Sequence, residues 1–178
     1  MSSRHPSWSS SAIGSSIDAL TGTRLPALEL PVGDNAVHPV VAPDAAATVL
    51  FTYPGADLDL DDASIPGAAG CTLENRLFRD AWPEFRRADV AVHGISTQLP
   101  YEQAFFARTE AIPYPLLSDT QHRLTAALRL RTFRGAGRLR LKRLILVVDR
   151  ERTVRHALFP VEDIPHAVEE ALRLAATT

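Results

Sequence analysis

Ile65-Pro66-Gly67-Ala68-Ala69-Gly70-Cys71-Thr72-Leu73-Glu74 is a run of small residues that passes into a helical pattern at the only cysteine of the chain. Upstream, Ala46-Ala47-Thr48-Val49-Leu50-Phe51-Thr52 is mostly apolar and ends at Tyr53-Pro54-Gly55. That is the pattern of a strand buried on both faces. Downstream, Leu73 to Ala88 places Leu73, Leu77, Phe78, Trp82 and Phe85 on one helical face, with a kink or restart expected near Ala81 because Pro83 lies inside. A thiol at such a helix start meets free backbone N–H groups and the positive end of the helix dipole. This environment is expected to pull its pKa below the free value of about 8.5.

Working outward, Leu25–Pro31 and Val37–Val41 read as short edge strands, and Ile17–Leu20 as a helical turn. The aspartate-rich segment Ala56–Ser64 lacks calcium-loop spacing and reads as a solvated loop. Val90–Ser96 is an apolar strand, and Pro100–Thr109 a helix with Tyr101, Ala104, Phe105 and Phe106 inward. Leu116-Leu117 is a short strand. Thr120–Leu128 is a short helix capped by Thr120 or Asp119. Arg131–Arg140 reads as a Gly- and Arg-rich loop, Leu141–Asp149 as a strong strand, and Val154–Phe159 as its hairpin partner. A last helix, Val161–Ala175, carries Ile164, Ala167, Val168, Ala171, Leu172 and Ala175 as its stripe. Alternating strands and helices closed by a hairpin and a helix give an α/β fold with a central mixed sheet flanked by helices.

Length and composition narrow the class. A chain of 178 residues with 46% apolar residues builds one domain with a real core. A net charge of −2 provides no global field toward nucleic acid or a membrane. One cysteine excludes an intrachain disulfide framework, which suits a reducing, cytoplasmic setting. No apolar run approaches the roughly 18 residues that span a bilayer. Six scattered histidines lack metal-ligand spacing, and no cofactor motif is present. His93 reads as a satisfied core or site-edge residue. Residues 1–20 form a flexible Ser-rich arm ahead of the domain, residues 21–178. The Arg134–Arg143 cluster lacks the interleaved aromatics of a nucleic-acid surface, and no motif flanking Cys71 supports a papain-like hydrolase.

Phe51-Thr52-Tyr53-Pro54, Pro66-Gly67, Gly70-Cys71-Thr72, Phe78-Arg79-Asp80, Gly94-Ile95-Ser96-Thr97 and Pro115-Leu116-Leu117-Ser118-Asp119 resemble, in order and spacing, the landmarks of the peroxiredoxins. The resemblance is to the bacterioferritin-comigratory-protein (PrxQ-like) branch and runs from about Leu25 to Ala175. It implies a thioredoxin-like fold and a thiol-dependent peroxidase. Cys71 would be the thiolate that attacks a hydroperoxide and becomes a sulfenic acid. Arg143 would be its electrostatic partner, with Arg140 and Lys142 as neighbouring alternatives. Pro66, Gly67, Ala68 and Gly70 would shape the substrate pocket. Glu74, one turn on, either caps the helix or tunes the thiol, or simply faces solvent.

Two departures from the family pattern stand out. The hydroxyl expected three residues before the cysteine is replaced by Ala68, and Ser64 stands at the proline position, leaving Thr72, Ser64 or backbone N–H groups as substitutes. The place of a resolving cysteine, five residues on, is Arg76. The implied enzyme is therefore of one-Cys type. It would act on a hydroperoxide or small organic substrate and be recycled by thioredoxin, glutaredoxin or a low-molecular-weight thiol. A homodimer is compatible with the family. The alternative is a peroxiredoxin fold turned to a specialised thiol reaction or to binding.

Overall fold

The computed structural model describes residues 19–56 and 70–178. The expectations for the N-terminal arm, for Ile17, for the aspartate-rich segment, and for Ser64, Pro66, Gly67 and Ala68 lie outside the described residues. In chain order the strands are β1 (Glu29–Val32), β2 (Ala36–Pro39), β3 (Ala47–Thr52), β4 (Val90–Ser96), β5 (Leu116–Ser118), β6 (Thr132–Gly135), β7 (Arg138–Leu141), β8 (Leu144–Asp149) and β9 (Val154–Leu158). The helices are α1 (Cys71–Arg87), α2 (Pro100–Thr109), α3 (Arg123–Leu128) and α4 (Ile164–Ala175).

The central sheet has the order β5-β4-β3-β8-β9. β3 runs parallel to β4 and antiparallel to β8, so the sheet is mixed. Every residue of β3 is buried, as its continuous apolar run requires of a strand covered on both sides. Alternation then sorts the side chains. Val49, Phe51, Val90, Val92, Ile145 and Val147 pack with α1 and α4 on one face. Leu50, Ile95, Leu146 and Val148 meet the N-terminal segment and α3 on the other. This is the thioredoxin-like arrangement expected from the sequence.

Several expectations are corrected. Arg131–Arg140 is not a loop: β6 and β7 form a hairpin in which Gly135 pairs with Arg138, and Ala136 (φ 49°) and Gly137 (φ 75°) make the two-residue turn. Two positive-φ residues match the right-handed twist of the flanking strands. The long strand consequently splits: Leu141 closes β7, and β8 begins only at Leu144.

In α1 the inward residues are Cys71, Glu74, Asn75, Phe78 and Phe85, while Leu73 is 48% exposed. The helix begins at Cys71, so its buried face runs through the i+3, i+4 and i+7 positions from there. Pro83 neither stops nor restarts it. That residue is exposed, so its ring stands on the solvent side of a helix that runs on from Cys71 to Arg87. Phe78 stacks on Phe51 at 4.2 Å between ring centroids and pins the helix to β3.

In α2, Gln103 and Phe106 turn inward, whereas Tyr101 and Phe105 are 62% and 64% exposed. A polar residue takes the inward place because Gln103 Nε2 donates to Ser96 Oγ (2.9 Å) and to the Leu117 carbonyl (2.8 Å). At α3, Asp119 accepts from the N–H groups of Leu124 and Thr125 and from the Thr125 hydroxyl, though the helix itself starts only at Arg123.

Candidate active site

The site lies where the N-terminus of α1 meets the two-residue link between β7 and β8. Gly70 precedes the helix at φ 99°, a backbone conformation that favours glycine. A Cβ there would stand 2.7 Å from Ile164 Cδ1 on α4. Gly70 thus lets the chain enter the helix tightly against α4, and its carbonyl accepts from the Glu74 N–H at 2.8 Å. Cys71 follows as the first helical residue, with only 4% of its surface exposed.

Arg143 reaches this thiol across 72 residues of sequence, with Nη2 3.6 Å from Cys71 Sγ. Its Nη1 donates to Glu74 Oε2 at 2.5 Å. Arg143 is 8% exposed and Glu74 fully buried, so the ion pair is interior. The second carboxylate oxygen, Glu74 Oε1, is buried with no hydrogen-bond partner among the described residues. Asn75 supports the same turn: its Nδ2 donates to the Cys71 carbonyl at 3.0 Å. The Tyr114 hydroxyl donates to the Asn75 carbonyl at 2.7 Å.

Burial dominates the electrostatics. It pushes the Cys71 thiol up, against Arg143 and a backbone hydrogen bond from Gly55, which favour the thiolate. The expected fall below the free value is therefore corrected. Helix-start N–H groups and one guanidinium do not offset the loss of water around the sulfur. Burial likewise raises Glu74 to about 7, against the pull of Arg143. Burial works against charge on Arg143 as well, but Glu74 and Cys71 outweigh it.

Of the residues singled out in sequence, Cys71, Arg143, Gly70 and Glu74 come together. Glu74 faces inward rather than solvent. Thr72 is half-buried and turns into a neighbouring cleft of ≈ 630 Å³, lined also by Ala56, Gln98, Tyr101, Phe105 and Phe106. Arg140 is not a competitor for the thiol. It is 1% exposed and donates to the carbonyls of Gly135 (2.8 Å) and Pro54 (3.2 Å), tying the β6–β7 hairpin to the end of β3. Lys142 is exposed, and its carbonyl accepts from the Thr52 hydroxyl. Arg76, in the resolving-cysteine place, makes an exposed ion pair with Glu110 at 2.7 Å. His93 sits on the other face of the sheet from α1, bonded to the Val40 carbonyl, and burial lowers it to about 4. Asn75 and Tyr114 escaped notice in sequence. The signal for Asn75 was its i+4 spacing from Cys71; Tyr114 had none. Among the described residues, no group of three or more His, Cys, Asp or Glu is placed to hold a metal ion. No described helix is long and apolar enough to cross a membrane.

Comparison with known proteins agrees with this geometry. The AhpC/TSA family matches residues 21–157. A putative peroxiredoxin of Mycobacterium tuberculosis (strain CDC 1551 / Oshkosh) is 35% identical over 106 residues, covering 60% of this chain and 62% of that protein. Peroxiredoxin Bcp of Escherichia coli (strain K12) is 30% identical over 90 residues, covering 49% and 58%. The chain thus spans about three fifths of the length of the curated relatives it matches. The crystal structure of peroxidoxin BcpB from Mycobacterium tuberculosis superposes with a TM-score of 0.72 at 29% identity, covering 88% of this chain and 96% of that one. Peroxiredoxin Q of Xanthomonas campestris superposes with a TM-score of 0.64 at 25% identity, covering 84% and 91%. A family match over most of the described fold, with cysteine and arginine converging at a helix start, means that this chain belongs to the AhpC/TSA family.

Proposed function

We propose that the protein is a thiol-dependent peroxidase of one-Cys type. The Cys71 thiolate attacks one oxygen of a hydroperoxide, the S–O bond forms and the O–O bond breaks. The leaving oxygen takes a proton and departs as water or an alcohol, and the sulfur becomes a sulfenic acid. Arg143 holds the sulfur's charge and polarises the peroxide. The Gly55 N–H, which bonds the sulfur, stands in for the hydroxyl that Ala68 lacks, and Gly70 borders the substrate. An external thiol (thioredoxin, glutaredoxin or a small thiol) reduces the sulfenic acid in the cytoplasm, and the protein acts as a monomer or homodimer.

The observation that carries this reading is the 3.6 Å approach of Arg143 Nη2 to Cys71 Sγ inside a family defined by such chemistry. It is tested by adding one equivalent of hydrogen peroxide or an organic hydroperoxide to the reduced protein and trapping sulfenic acid at Cys71 for mass spectrometry. Oxidation no faster than that of free cysteine sinks the reading. The upward push on the thiol is the observation that favours the alternative, a specialised thiol reaction or a binding role. A Cys71→Ser variant that keeps its biological activity would decide for binding.

A further inference from the structure

Two buried acids share one buried cation at this site. Among the described residues, Cys71 and Glu74 are the acidic groups that Arg143 meets there. With both ionised, the trio carries a net negative charge out of water, which is costly. With one proton between them, the trio is neutral. Glu74 Oε2 is occupied by Arg143, but Oε1 is buried and unpartnered, with its lone pairs unused. An orphaned buried acceptor of this kind calls for a ligand, and the thiol one helical turn away, held by the same guanidinium, carries a movable proton.

We infer that the Glu74 carboxylate takes the Cys71 proton and later delivers it to the leaving oxygen of the peroxide. The resting pair is thiol and carboxylate. The reactive pair, of the same total charge, is thiolate and carboxylic acid. In the last step, which rests on the peroxidase reading, Cys71–S⁻ + HOOH + Glu74–COOH gives Cys71–SOH + H₂O + Glu74–COO⁻. Sulfur loses two electrons and the peroxide gains them. The trio is neutral before and after, so no net charge develops in a site that water barely reaches.

The surroundings suit this exchange. Burial brings Glu74 into the range where it both accepts and gives up a proton near neutrality. The titratable and charged groups facing it are Arg143 from the β7–β8 link, Cys71 on its own helix and Tyr114 ahead of β5. Tyr53, just past β3, acts on Tyr114, and burial keeps Tyr114 neutral. Arg79 and Asp80 sit further along α1 and form their own surface pair. The face of α4 packed here presents Ile164, Ala167, Val168 and Ala171, with no charge.

The test separates a proton carrier from a mere prop for Arg143. Glu74→Gln keeps an acceptor for the guanidinium and cannot titrate. In the full-length wild-type chain, thiolate ultraviolet absorbance should rise in two steps with pH, as coupled groups do. In Glu74→Gln it should rise in one step, at least about one pH unit, or tenfold in proton affinity, below the wild type's main step. Alkylation by iodoacetamide at neutral pH, whose leaving group needs no proton, should then speed up about tenfold. Oxidation by hydrogen peroxide, compared at equal thiolate, should slow about 100-fold, within the usual range for a lost general acid. If both reactions move the same way by similar factors, Glu74 only positions Arg143 and the inference falls. Should the variant misfold, infrared difference spectra of the wild type decide. At neutral pH the minor thiolate form should bring a protonated-carboxyl band of matching intensity that alkylating Cys71 abolishes, and a band absent or unchanged overturns the inference. A wild type inert to peroxide would defeat the peroxidase reading, while the titration and alkylation arms would still judge Glu74.

Discussion

Replacing Arg143 by methionine removes the positive charge and leaves most of the volume. At 3.6 Å from the sulfur, and with an effective dielectric constant of about 20, the guanidinium favours the thiolate by about 5 kcal/mol. Part of that returns in the variant, because Glu74 takes up a proton once its partner is gone and no longer opposes the sulfur's charge. A net loss of about 3 kcal/mol raises the thiol by about two pKa units, or about 100-fold in thiolate at neutral pH. The assay is the second-order rate of Cys71 alkylation by iodoacetamide at pH about 7, with circular dichroism confirming the fold. A matched Arg143→Lys variant, which keeps the charge, should recover about half the loss on a logarithmic scale. A folded methionine variant alkylated within about threefold of wild type would refute the claim that this arginine sets the thiol's ionisation.

Other outcomes follow from the same geometry. Glu74 is raised to about 7 in the folded chain, against about 4.5 unfolded, so its contribution to stability is full below pH about 4.5 and is lost as pH climbs through about 7. The stability difference between wild type and Glu74→Gln, from urea unfolding at several pH values, should therefore shift against the wild type by about 3 kcal/mol across that window. Gly70→Ala places a side chain at φ 99° and 2.7 Å from Ile164 Cδ1, and should cost about 1–3 kcal/mol by thermal unfolding. Phe78→Ala empties the stack on Phe51 and should cost about 3–5 kcal/mol in urea. Asp119→Ala strips three donors of their acceptor at α3, and should lower the melting temperature by an amount equivalent to about 1–3 kcal/mol.

The sheet was legible because β3, β4 and β8 are short apolar runs that only a doubly covered strand explains, and the breaks at Pro54, Pro100 and Asp149 fall where the structure turns. What went astray was rotational phase. Counting α1 from Leu73 rather than Cys71 turned Leu73 inward and left Glu74 undecided, although Cys71, Glu74, Asn75 and Phe78 share one face by spacing alone. In α2, aromatic residues drew the inward assignment, yet Gln103 takes that place because two hydrogen bonds satisfy it. The β6–β7 hairpin was hidden by arginines, whose long stems pack while their charges reach partners that sequence does not show. The Cys71–Arg143 contact has no local signature. It came from the likeness to a family, whereas the expectation of a low thiol pKa came from the helix-start position, and burial reverses it.

The β6–β7 hairpin also sets where this chain tolerates changes in length. Its tip, Ala136-Gly137, is exposed and touches little, so inserted residues or an affinity tag there should leave the rest unaltered. Between Arg138 and Arg143 the ladder fixes the register, and one added or deleted residue would turn the next side chains to the opposite face. The guanidinium would then miss the sulfur altogether. Indels among homologous chains should accordingly gather at the tip and avoid the arm that leads from it into the sheet.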